Sequence, residues 1–297
     1  MCITRKAAVE KAGGWAEWCL TEDSELAVRI HGARYRSLFL TESFGRGLIP
    51  HTFRDYKKQR LRWTIGPIQQ LQRHWRLYLP KPWAAPSQLT PWQKCLELSH
   101  SVGGLLPLLL PIVIPLNFAA IASLQLHREI IPLPPILGFG AAMTALSGLM
   151  TAWLTYWLLG CRRWQDMGLA LLAMLSLQHI RFVGAWQAVF RRSPQWKRTH
   201  KFQVFPDRWR ALQSCQTELV LGLLSLGIAG SLLTIAQTDP NWLWVLILGF
   251  SLGAIAYFAA AVMAWLGERE LQRTFASLSN NQNLNPEHPS NRPTIMK

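Results

Sequence analysis

Leu219-Val220-Leu221-Gly222-Leu223-Leu224-Ser225-Leu226-Gly227-Ile228-Ala229-Gly230-Ser231-Leu232-Leu233-Thr234-Ile235-Ala236-Gln237-Thr238 runs without a single Asp, Glu, Lys or Arg. About 20 apolar residues in a helix cross the roughly 30 Å hydrocarbon core of a bilayer. Three more runs of this kind surround it: Leu98–Leu126, Ile130–Cys161 and Pro240–Gly267. Pro107, Pro111 and Pro115 punctuate the first, which predicts a kinked or broken span. A fifth run, Met167–Phe190, carries His179 and Arg181 in its middle. A charge at the bilayer centre costs a few kcal/mol. This run is therefore expected to lie in the interface or to line a polar cavity.

Composition agrees. Of 297 residues, 50% are hydrophobic and only 16% charged, against about a quarter charged in an ordinary soluble domain. This excludes a mainly disordered chain. Five cysteines, an odd number with no C-x-x-C pair, exclude a disulfide scaffold. No signal-type apolar core follows Met1-Cys2-Ile3-Thr4-Arg5-Lys6. The chain carries a net charge of +15. Its basic segments fall in residues 1–95, at Arg162-Arg163 and in Arg191–Arg210. Cytoplasmic loops collect Lys and Arg, and four spans place all three segments on one side. The lipid bilayer is thus the first expected partner, with residues 1–95 cytoplasmic at a bacterial inner membrane. A basic stretch such as Tyr56–Arg76 also invites a nucleic-acid reading, which the adjoining spans disfavour.

Three constellations carry chemistry. In the first, Gly13-Gly14-Trp15 permits a tight turn, and Thr21-Glu22-Asp23-Ser24-Glu25 then opens a helix with Leu26 and Ile30 on its buried face. The acids suit a helix N-terminus, and a carboxylate there also serves as a general base toward a hydroxyl. In the second, Gln59, Arg62 and Trp63 share one face of a helix over Tyr56–Trp75. Arg62 suits a diphosphate, Trp63 a sugar ring, and Gln59 a hydroxyl or phosphate. An amphipathic helix on a membrane surface has the same composition. The third, Phe190–Lys201, reads as a juxtamembrane basic loop. There is no Walker loop and no G-x-S-x-G elbow, and the histidines show no metal-type pairing.

The order G-G-W, then T-E-D, then Q-R-L-R-W with Gln59 thirty-six residues after Asp23, then membrane runs, resembles the carboxy-terminal part of a membrane-bound family 2 glycosyltransferase of the cellulose synthase-like kind. The resemblance covers Cys2 to Trp75 throughout and the later helices more loosely. It implies that Asp23 is the general base, supported by Glu22. It implies that Gln59, Arg62 and Trp63 hold donor pyrophosphate and the terminal acceptor sugar. Trp196, Thr199 and Lys201 would belong to a gating loop, although Thr199-His200-Lys201 departs from the family's usual Thr-Pro-Lys/Arg. Trp153, Trp157 and Trp186 would suit sugar stacking along a glycan path. The complete enzyme would take a nucleotide-sugar and a glycan acceptor, with a divalent cation, Mg or Mn, held by an Asp-x-Asp. That motif is absent here: Asp23, Asp55, Asp166, Asp207 and Asp239 include no such pair.

The expected architecture is a mainly α membrane protein. Residues 1–55 would be a partial α/β (GT-A-like) remnant and 56–95 an interfacial helix and linker. Residues 96–267 would hold four to five transmembrane helices with a basic cytosolic loop at 191–217, and 268–297 a disordered tail rich in Asn, Pro and Ser toward its end. Leu38-Phe39-Leu40 reads as a strand, left partly uncovered like Leu26, Val28 and Ile30. A late start, a broken gene or a separate donor-binding chain would each account for the short amino-terminal region. The chain alone is expected to be inactive. The alternative is a non-enzymatic membrane subunit or conduit beside a separate catalytic chain.

Overall fold

A computed structural model of the chain describes residues 2–40, 42, 45, 49–80, 82–109, 111–112, 119, 135–191, 205–236 and 243–284. Among them there is no β-strand. The order is α1 (Lys6–Lys11), α2 (Glu22–Gly32), α3 (Phe53–Tyr78), α4 (Pro91–Gly103), a 3-10 turn (Leu106–Leu109), α5 (Pro135–Leu158), α6 (Trp164–Leu175), α7 (Gln178–Phe190), α8 (Arg208–Ala236) and α9 (Leu243–Leu284).

Helix α3 is the hub. Thr52 caps it by accepting from the Asp55 N–H at 3.1 Å, and its hydroxyl donates to Asp55 Oδ2 at 2.8 Å. The helix outruns the expected Tyr56–Trp75 by about a turn at its start and ends at Tyr78. His74 takes a non-helical φ/ψ of −112°/18° within it. Ile65 and Ile68 are fully buried and form a core with Leu20, Ala185 and Ala188. Helix α7 comes close enough for Gly184 to sit on Thr64, where a Cβ would lie 2.9 Å from the Thr64 methyl. The other end of α3 buries Phe53 among Cys215 of α8 and Ala260 and Ala264 of α9.

Helices α8 and α9 lie along one another. Two stretches within them, Trp209–Thr234 and Leu246–Ser277, are long and apolar enough to cross a membrane. A third candidate is the pair α6–α7, bent by 43° at its break, which is a broken span or a re-entrant loop. Two to three candidates thus stand among the described residues where four to five spans were expected. About half of the first run lies outside the described residues. Its opening is broken as its prolines predict: α4 ends at Gly103, and Pro107 falls in the 3-10 turn. Helix α5 forms within the second run.

Four expectations need correction. Leu38-Phe39-Leu40 is not a strand; it is extended chain with Leu38 83% and Phe39 81% exposed. A lone extended segment has no ladder partner to satisfy its backbone. The α/β remnant is accordingly helical among the described residues, while Leu26 and Val28 are fully covered. The loop placed at 191–217 gives way to helix from Arg208. The tail placed at 268–297 is helical through Leu284. In both places hydropathy falls while helix-forming residues continue.

Candidate functional site

The acid-bearing segment is fixed to α3 by contacts that follow one stripe of that helix. Gly13 and Gly14 both take positive φ, 85° and 80°, and turn the chain after α1 as their sequence predicts. Leu20 N–H then donates to Gln69 Oε1 at 3.0 Å, and Cys19 Sγ donates to the Gly66 carbonyl at 3.8 Å. Ser24 Oγ donates to Gln70 Oε1 at 3.4 Å. Thr21 lies directly on Gly66: a Cβ there would fall 2.6 Å from the Thr21 methyl. Only glycine permits this approach.

The clamp closes on Glu25, which is 1% exposed. Its carboxylate accepts from Arg29 Nε and Nη2, both at 2.7 Å, and pairs with His74 Nε2 at 2.7 Å. Arg29 also donates to the Ala12 and Gly14 carbonyls, which ties the glycine turn to α2. Burial pushes the Glu25 carboxyl upward, but the hydrogen bonds and charges of Arg29 and His74 outweigh it and hold the group below the ordinary glutamate value. Sequence reading missed this residue. Glu25 and His74 are 49 positions apart, so no local pattern joins them.

Residues 66, 69, 70 and 74 continue the stripe that starts with Gln59, Arg62 and Trp63. Thr21 therefore touches α3 one turn beyond Arg62 and Trp63, about 5–6 Å along the axis. Glu22 and Asp23 follow Thr21 at once, and both are exposed. Asp23 Oδ1 accepts from the Ser24 N–H at 2.8 Å. Thr21 occupies the N-cap position, but its side chain makes no capping bond. Trp63 is 49% exposed, and the Arg60 guanidinium stacks over its ring at 4.5 Å and over Tyr56 at 4.9 Å.

Other predicted residues are placed differently. Trp153 packs on Trp164 at 4.9 Å, Arg162 sits over Trp157 at 4.3 Å, and Trp186 stacks with Phe190 at 4.3 Å. Trp157 and Trp186 nonetheless keep nearly half their surface. Trp196, Thr199 and Lys201 lie outside the described residues. His179 is not isolated: its Nδ1 lies 3.3 Å from Glu218 Oε1, and Lys57 Nζ donates to the same oxygen at 2.5 Å. This buried group joins α3, α7 and α8. Among the described residues no three His, Cys, Asp or Glu side chains converge as cation ligands.

A helix carrying basic and aromatic residues, an acid-bearing helix docked on it, and two to three helices that could span a membrane make this a mainly helical chain among the described residues. The chain matches the Glycosyl transferase family group 2 profile over residues 1–266, and it belongs to that family. It is also 38% identical over 65 residues to glucomannan 4-beta-mannosyltransferase 2 of Arabidopsis thaliana. That match spans 22% of this chain and 12% of the plant protein. No solved structure matches significantly.

Proposed function

We propose that this chain forms the acceptor-side and membrane portion of an inverting glycosyltransferase that lengthens a polysaccharide from a nucleotide-sugar donor. The observation that supports the reading is the docking of Thr21 on Gly66, one turn along α3 from Arg62 and Trp63, with Glu22 and Asp23 next in the chain. Asp23 takes the proton of the acceptor hydroxyl. That oxygen forms the new bond to the anomeric carbon as the bond to the nucleoside diphosphate breaks on the opposite face. Arg62 meets the charge that develops on the departing diphosphate, the kind of electrostatic assistance that dominates such steps. Trp63 supports the acceptor sugar and Gln59 orients a hydroxyl or phosphate. Glu22 supports Asp23. The plant relative's name supports a hexose polymer as the product class.

In this proposal residues 1–95 face the cytosol of a bacterial inner membrane, in line with their basic surroundings, and the apolar helices guide the growing chain outward. The donor-binding region and its divalent cation come from sequence joined to this chain or from a separate chain. The lack of an Asp-x-Asp among the five aspartates supports inactivity of the chain alone.

The test is a nucleotide-sugar transfer assay on the chain alone and on the chain combined with a donor-binding half. The expected result is turnover only in the combination, lost in Asp23→Asn and Arg62→Ala. Turnover by the chain alone would overturn the inactivity. Full turnover by both variants would favour a non-enzymatic conduit.

A further inference from the structure

A second stripe of α3 turns away from the proposed site. Arg54, Lys57, Lys58 and Leu61 repeat at i, i+3, i+4 and i+7, the same spacing as Gln59, Arg62, Trp63 and Gly66 but five residues earlier. Five residues rotate the face by about 140° on a helix of 3.6 residues per turn. That second face lines a cavity of 540 Å³ whose opposite wall is α8, with Arg210, Gln213 and Ser214, and α7, with Ile180.

The wall chemistry is one-sided. Four cations line the cavity, and no carboxylate does so among the described residues. The acids stand behind the cations. Glu218, 1% exposed, holds Lys57 at 2.5 Å; Asp55 holds Lys58 at 2.9 Å; Glu268 holds Arg210 through two bonds of 2.9 and 2.8 Å. Each buried carboxylate holds one of these cations in place, and Ser214 lends its carbonyl to Lys57 at 2.8 Å. Arg54 is exposed and has no carboxylate partner among the described residues, so it is the surplus positive charge. Positioned ammonium and guanidinium groups with an unbalanced charge form a receptor for a phosphate oxyanion.

Two features choose the source of that phosphate. The membrane-length stretch of α8 begins at Trp209, 73% exposed and next to Arg210, at the level where indoles mark the lipid–water boundary. Leu61 and Ile180 supply an apolar wall beside the cations. We propose that this cavity holds the phosphate headgroup of one anionic phospholipid, wedged between the interfacial helix and the span. The headgroup would pin α3 against α7 and α8, and so set the depth of the stripe that bears Arg62 and Trp63. The proposal depends on α8 lying in lipid, not on glycosyl transfer.

Native mass spectrometry of the full chain, exchanged with phosphatidylglycerol or phosphatidylcholine in detergent, reads the site directly. One phosphatidylglycerol should be retained and phosphatidylcholine lost. Arg54→Gln should weaken retention about fivefold, as expected for one basic residue near an anionic surface, and Arg54→Lys should restore it. The paired change Arg210→Gln with Glu268→Gln removes a cation without stranding a buried acid, and it should weaken retention further. If the paired variant does not fold, the exposed Arg54 decides. Equal retention of both lipids, or no effect of Arg54→Gln, would overturn the proposal. Displacement of the lipid by inorganic pyrophosphate would assign the site to a free phosphate compound and would also overturn it.

Discussion

Helix α2 docks on α3, and α8 docks on α9, by opposite means. The first junction is polar: Gln69, Gln70 and His74 meet Leu20, Ser24 and Glu25 through hydrogen bonds. The second is apolar: Leu232 of α8 packs with Ile247 of α9, and small residues line other parts of it. Ala256, Ala260 and Ala264 fall at intervals of four on α9 and are all buried, and Gly222 of α8 admits the Phe258 ring to 2.9 Å of where a Cβ would stand. Between helices in lipid there is no hydrophobic gain from contact, so close approach of small residues does the work. At the water boundary directional bonds fix geometry instead. The difference teaches where precision resides: the residues proposed to react, Asp23 with Arg62 and Trp63, flank the junction whose register is set by hydrogen bonds.

The largest expected effect is at the centre of the polar junction. Glu25→Ala leaves Arg29 and His74 without their buried partner and should cost about 3 kcal/mol, seen as faster amide exchange across α2 with α8–α9 unchanged. Gly66→Ala drives a methyl into Thr21 and should cost about 2 kcal/mol by overpacking. Gly222→Ala meets only the edge of a movable ring, so thermal unfolding should show the smaller loss there; the reverse order would break the comparison. Acid separates the junctions as well. The Glu25 carboxyl is held below its unfolded value, so its stabilisation is complete above that value and fades as the pH falls through the folded one. Protection factors in α2, corrected for the intrinsic pH dependence of exchange, should therefore fall on acidification. The smallest effect is Trp63→Ala, which removes only a half-exposed ring and its stacking on Arg60, about 0.5–1 kcal/mol, yet should impair transfer in the combined enzyme.

Much of this was legible in the sequence. The glycine turn and the span of α3 follow from φ freedom and periodicity, and α2 starts where its first-turn acids predict although Thr21 makes no capping bond. That stretches of α8 and α9 are long and apolar enough to cross a membrane follows from charge-free length. What escaped was of two kinds. Glu25 with His74, and Glu218 with Lys57 and His179, are long-range pairs of common residues, and nothing in their spacing marks them. Helix ends were misjudged at Arg208 and beyond Gly267 because apolar runs stop where lipid would stop, whereas Glu, Arg, Gln and Leu carry a helix on. Glu268, paired with Arg210, lies in such an extension.

The account stands or falls on the docking of the Asp23 segment along the stripe of Arg62 and Trp63. Cross-linking tests it. In Ser24→Cys with Gln70→Cys, whose native side-chain oxygens lie 3.4 Å apart, a short bis-maleimide should join those two positions, located by peptide mass spectrometry. If no link forms between them, or position 24 links only to cysteines elsewhere in the chain, the acid and the guanidinium–indole pair do not share a site.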